Sequence, residues 1–256
     1  VRFSGLVGRG CAVIGVSLCV VAGSVACSND GTGSHTVLDV YAAASLEQAF
    51  TEIADLYERA HDGVDVRLNF AGSSALVTQI EQGADADVIA TADESTMQRL
   101  GDTAVDPTIF ATNTLVIVTA SGNPTNIDGF ESLTNPDIST VVCAVEVPCG
   151  AATAQVERDT GIELSPVSEE TSVSAVLAKV TSGQADAGLV YVTDAKNAGN
   201  GISAVGDPAF ATVVNSYPIA TLRDAAHAED AQMFVSMVLG QTGGEVLGAA
   251  GFNPPA

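Results

Sequence analysis

Short apolar runs of extended character alternate along the chain with segments of helical periodicity, and this alternation narrows the possible folds most. Runs at 36–41, 65–70, 87–90, 114–119, 140–145, 188–192 and 216–221 read as strands. Between them Leu46, Ala49, Phe50, Ile53 and Tyr57 recur at the spacing of one helix face, as do Leu76 with Ile80, and Val173, Val176, Leu177 and Val180. Parallel strands need a crossover long enough to hold a helix, so the pattern predicts an α/β fold with helices packed on mainly parallel sheets. About 220 residues lie beyond position 35, enough for one large or two small domains.

The helix starts carry the chemistry. Ser45-Leu46-Glu47-Gln48 follows the first strand and fits a capping box, with Ser at the cap and Gln three residues on. Gly72-Ser73-Ser74 opens a helix that closes near Gly83, Pro148-Cys149-Gly150 opens one ended by Gly161, and Thr171-Ser172 opens the helix of Val173. A helix start leaves backbone N–H groups unpaired and carries a partial positive charge. In an open α/β sheet such ends gather at the carboxyl edge of the strands, where several together can bind an anion without any charged side chain. Each serine taken singly is equally explained by ordinary capping, worth about 1 kcal/mol.

Charge works against anions. No acidic residue precedes position 27, whereas Arg2 and Arg9 do, so the remainder holds seven basic and 31 acidic residues, a formal charge of −24. Such a surface has no basic footprint for nucleic acid and none for anionic lipid.

Residues 1–26 read as an export signal: Arg2 and Arg9 lead into an uncharged stretch from Cys11 to Ala26, shorter than the ~20 residues of a spanning helix. Residues 27–35 form a polar tether. Two cleavage readings compete at Cys27. Ser24 and Ala26 suit an ordinary secretory cut, while a Cys after Val25-Ala26 followed by a flexible tether suits a lipoprotein, although Ser24 stands where Leu, Val or Ile is usual. Lipidation of Cys27 is the favoured reading, because an exposed free thiol is awkward outside the cell. Beyond it only Cys143 and Cys149 remain, and an oxidising compartment predicts a disulfide between them. Their spacing does not suit a metal, and His35, His61 and His227 are scattered, so no dedicated metal site is expected.

Catalysis finds no support. The sequence contains no Gly-x-Ser-x-Gly elbow, Ser-x-x-Lys pair or Gly-x-x-x-x-Gly-Lys loop. His61 and His227 sit among charged residues and read as solvated surface. No carboxylate spacing marks a general acid and base.

Read in order, Val40-Tyr41-Ala42-Ala43-Ala44-Ser45-Leu46, Asn69-Phe70-Ala71-Gly72-Ser73-Ser74, Gly83-Ala84-Asp85-Ala86-Asp87-Val88, Val147-Pro148-Cys149-Gly150, Gly188-Leu189-Val190-Tyr191 and Gly251-Phe252-Asn253-Pro254 resemble the molybdate-binding proteins of bacterial ABC importers, which are type II solute-binding proteins. The resemblance spans residues 36–256. It implies a two-lobed periplasmic-binding-protein-like fold with a ligand cleft between hinge-linked α/β lobes: 36–110 plus 217–256 as one lobe, 111–216 as the other.

It also implies a ligand set. Ser45 and Ser73 would each give a hydroxyl and a backbone N–H, Cys149 and Val173 a backbone N–H, and Tyr191 its phenol. Molybdenum would enter only as molybdate, with tungstate as a companion ligand, through these five residues and with no cofactor. Many relatives have Ala at the position of Cys149, a change that a backbone contact tolerates, and the pattern around Val173 is loose. The implied role is capture by a monomer at the outer face of the membrane, lipid-anchored, with delivery to a permease and its ATPase, and no enzyme activity. Alternatives are another solute, such as sulfate, a phosphonate or ferric iron, and an extracellular hydrolase. Ser73→Ala is expected to weaken binding by about 1.5 to 3 kcal/mol with folding nearly intact.

Overall fold

The computed structural model describes residues 35–255. The expected export signal, Cys27 and nearly all of the tether lie outside the described residues. In chain order the elements are β1 (Thr36–Ala43), α1 (Glu47–Ala60), β2 (Val64–Ala71), α2 (Ser73–Glu81), β3 (Val88–Ala90), α3 (Glu94–Gln98), β4 (Ala104–Ala120) and β5 (Thr140–Cys143). There follow α4 (Pro148–Thr160), β6 (Ser168–Glu170), α5 (Val173–Thr181), β7 (Ala187–Tyr191), α6 (Val192–Ala198), β8 (Ile202–Val205), β9 (Val214–Leu222), α7 (Ala228–Leu239) and α8 (Gln241–Ala250).

Two parallel trios, β2-β1-β3 and β7-β5-β6, are joined through β9 and β4 in the order β2-β1-β3-β9-β4-β7-β5-β6. The 17-residue β4 belongs to both halves: residues 104–114 pair antiparallel with β9, and residues 115–120 pair antiparallel with β7 and β8. The sheet is thus mixed rather than mainly parallel. The joining strands must reverse direction to run between two trios that are each wound in the βαβ manner.

Helices cover both faces of the first half. Phe50, Ile53 and Tyr57 of α1 meet Phe234 of α7 against Leu38 and Val40, and Tyr57 and Phe234 lie edge to face at 5.4 Å. On the opposite face Leu76, Val77 and Ile80 of α2 pack with Met97 of α3 against Ile89 and Ala220. In the second half α5 lies on β7. A Cβ on Gly188 would stand 2.6 Å from Val176 Cγ1, so only a glycine lets helix and strand approach this closely.

The expected helix faces are buried as read except for Leu177, which is half-buried, and all seven expected strands exist, with differences at their ends. Val192 opens α6 instead of closing β7, and β5 stops at Cys143, where the chain turns towards α4. The first half of β4 escapes periodicity because Asp106-Pro107 reads as a break. The strand absorbs it with a register shift between Val105 and Thr108, Asp106 taking the left-handed region at φ 47. β6 and β8 are too short to stand out. His61 is half-buried, its ring stacked on Tyr57 at 4.0 Å, rather than fully solvated.

Candidate functional site

The carboxyl ends of all six strands of the two trios converge on one small cavity. Its walls come from Ala43, Ala44 and Ser45 after β1, Gly72 and Ser73 after β2, and Ala92 after β3. Val147, Pro148 and Cys149 enter after β5, Ser172 and Val173 after β6, and Tyr191 at the end of β7. The structure therefore brings together all five residues singled out from the sequence, each at most 4 % exposed. Among the described residues lining the cavity none is charged, so whatever binds must be held by dipoles and hydroxyls.

Three helices start at this wall. The first bonds of α2, α4 and α5 run from Ala75 N–H to Gly72 O, Ala151 N–H to Val147 O and Val176 N–H to Ser172 O. The N–H groups of Ser73, Cys149 and Val173 precede those bonds and stand outside each helix's own ladder. Pro148 fits the first turn of α4 because its missing N–H costs nothing there. Ser172 caps α5 by accepting from Ala175 N–H at 3.2 Å.

Ser45 does not form the expected capping box. A 3₁₀ turn, Ala44–Leu46, precedes α1, whose cap position is held by Leu46 without a side-chain bond. The Ser45 hydroxyl turns inward instead and pairs with the Tyr217 hydroxyl at 3.0 Å. Ser73 Oγ accepts from Ala92 N–H at 3.0 Å, which leaves its hydrogen to be donated elsewhere. Ser73 is therefore also a structural acceptor, and its removal is not neutral for folding as the sequence suggested.

Tyr191 is the most informative member. It is 1 % exposed, yet its hydroxyl has no hydrogen-bond partner among the described residues, although the Tyr217 ring lies beside it at 5.9 Å between centroids. A buried phenol without a partner is costly unless a ligand completes it. Burial, then Tyr217, Asp93 and Asp194, push its pKa well above the usual phenol range, so it stays protonated and can only be a neutral donor or acceptor. Behind it Asp194 accepts Tyr191 N–H at 2.9 Å, and burial pushes that carboxyl up to about 7 against the opposing effect of the backbone N–H groups.

The disulfide joins Cys143 to Cys149 and fixes the turn between β5 and α4. Sequence reasoning missed Tyr217, Ala92 and Asp194 as neighbours of the site. Only the Asp three residues after Tyr191 hinted at a local interaction. A larger groove beside the cavity, with about 1020 Å³ of empty space, shares Ala44 but is lined by Glu47, Glu52, Asp55 and Asp194. Its carboxylates repel an anion, so chemistry and not size identifies the site.

A family model described as bacterial extracellular solute-binding protein matches residues 38–253. The molybdate-binding protein ModA of Mycobacterium tuberculosis is 47% identical over 94% of this chain and 96% of its own length. Among solved structures, the periplasmic molybdate-binding protein of Azotobacter vinelandii matches with a TM-score of 0.74 at 22% identity, over 86% of this chain and 100% of that one. The sulfate-binding protein SubI of M. tuberculosis matches nearly as well, TM-score 0.73 at 19% identity, over 86% of this chain and 87% of its own. At such identities these two likenesses speak for the fold alone, a two-lobed α/β architecture, and leave the choice of oxyanion to the closer sequence relative.

Proposed function

Because the chain belongs to the bacterial extracellular solute-binding proteins, we propose that it captures molybdate, and tungstate with it, outside the membrane and delivers the ion to the permease and ATPase of an ABC importer. The observation that carries this reading is the partnerless hydroxyl of Tyr191, buried on an uncharged cavity where three helix starts meet. The 47% identity to a molybdate-binding relative selects the ion. In this reading Ser45, Ser73 and Tyr191 donate hydroxyls, and Ser45, Ser73, Cys149 and Val173 donate N–H groups. The lobes are residues 36–110 plus 217–256 and residues 111–216, a division supported by β4 changing partners near Leu115.

The physics of selection follows from the donor set. With 31 acidic residues and seven basic ones beyond the first 26, long-range attraction cannot gather a dianion. Affinity must come from fixed donors replacing its hydration, at roughly 1.5 to 3 kcal/mol for each bond to charge. A cage of donors disfavours a protonated oxyanion such as hydrogen phosphate, whose O–H meets few acceptors. Sulfate has the same charge and is excluded only by size. The protein works as a monomer, held to the outer membrane face through a lipid on Cys27, and performs no reaction on its ligand.

Calorimetric titration of the protein with molybdate, tungstate and sulfate tests this reading. Molybdate and tungstate are expected to bind and sulfate far more weakly. Binding of sulfate alone would replace the proposed ligand with sulfate.

A further inference from the structure

Gly72 brings the two halves of the cavity into close backbone contact. A Cβ placed on Gly72 would stand 2.0 Å from the carbonyl oxygen of Thr171, 3.2 Å from its carbon and 3.5 Å from Val147 Cγ1, where real Cβ atoms essentially never come within 3.0 Å. Thr171 directly precedes the cap of α5, and Val147 is the cap of α4. One glycine from the first half thus rests against both helix starts that bear Cys149 and Val173. Its backbone, at φ −59 and ψ 136, suits any residue, so the lack of space and not conformation is what calls for glycine here.

We propose that Gly72 sets the closing distance of the cleft and is therefore a determinant of oxyanion affinity, although it offers the ligand no donor of its own; this rests on the solute-binding reading above. Any side chain at 72 must move Thr171 O from 2.0 Å to at least 3.0 Å, a retreat of about 1 Å. Donors and acceptors in N–H···O bonds sit within a window of about 2.7 to 3.2 Å. After such a retreat, Ser45 and Ser73 on one side and Cys149, Val173 and Tyr191 on the other cannot all reach one ion. The effect falls on binding because the Thr171 contact is made across the cleft, between the halves that carry the two groups of donors.

Two variants test the proposal, Gly72→Ala and Gly72→Ser. Position 72 is the cap of α2, where Ala is poor and Ser is favoured, so the serine variant keeps the helix start sound while still adding a Cβ. Molybdate affinity by calorimetry and ligand-free thermal unfolding are read on both variants and the wild type. Both variants are expected to bind molybdate at least ~30-fold more weakly, equivalent to losing one or more bonds to the ion. The ligand-free unfolding temperature of Gly72→Ser should equal or exceed that of the wild type. Wild-type affinity in Gly72→Ser overturns the inference while leaving the proposed function standing. A wild-type protein that binds no oxyanion overturns the function and this inference with it.

Discussion

The Tyr217 hydroxyl lies 3.0 Å from Ser45 Oγ, and this buried pair ties β9 to the turn after β1. Burial holds the Tyr217 phenol far above its ordinary pKa, so it is protonated. When it donates to Ser45 Oγ, the serine hydrogen is released towards the cavity.

Tyr217→Phe removes that orientation. Molybdate binding is expected to weaken by about 1 kcal/mol, roughly fivefold, with a similar loss of folding stability, the net worth of one buried hydrogen bond. Calorimetry paired with denaturant unfolding measures both, and an unchanged affinity would detach Ser45 orientation from binding.

Tyr191→Phe should separate binding from stability. Its hydroxyl has no partner among the described residues, so deleting it removes a desolvated polar atom from the ligand-free protein. Ligand-free unfolding is expected to be unchanged or to need more denaturant, while molybdate affinity falls by about 1.5 to 3 kcal/mol. Ser73→Ala should instead lose both, because it strands the buried Ala92 N–H at a cost of about 1 to 3 kcal/mol. Equal behaviour of the two variants in unfolding would contradict these bond assignments.

Replacing both Cys143 and Cys149 by Ala opens a loop with a sequence separation of only six residues. The chain-entropy model gives such a short loop about 2 kcal/mol. Stability is expected to drop by that amount in thermal or denaturant unfolding. Affinity should stay within a few-fold of wild type, because the group offered at 149 is the N–H.

Asp194 makes stability depend on pH in an unusual direction for a carboxylate. Burial raises its pKa in the folded protein to about 7, whereas the unfolded chain titrates near ~3.9. The native state therefore holds the proton more tightly. The carboxyl's contribution is fully present below pH ~4 and is lost as pH rises through about 7, on the order of 4 kcal/mol in all. Asp194→Asn, which can still accept from Tyr191 N–H, should flatten the unfolding profile between pH 4 and 8 relative to wild type. Parallel profiles would show that Asp194 titrates normally.

The α/β character was legible because core-facing positions in α1, α2 and α5 keep strict helical spacing and the strands of both trios are apolar. The place of the cavity was legible for a physical reason too: it lies where helices begin directly after strands, and Ser73, Cys149 and Val173 mark such beginnings. What stayed hidden depends on partners remote in sequence. Ser45 looks like a cap until Tyr217, 172 residues away, takes its hydroxyl. The first half of β4 is hidden by Asp106-Pro107, which only a long antiparallel partner can carry through a bulge. Gly72 reads only as part of a helix start until Thr171 is brought against it.

At Cys149 and Val173 the part turned to helix-start chemistry is the peptide group, common to every residue but proline. Side chains there can change, within what packing allows, without altering the N–H groups at these helix starts. Cys149 shows the freedom in use, since its sulfur has been recruited to Cys143 while its N–H keeps its place at the start of α4. A recognition site composed largely in main chain can be inherited intact beneath a changing sequence, and its specificity will be poorly predicted by comparing side chains alone.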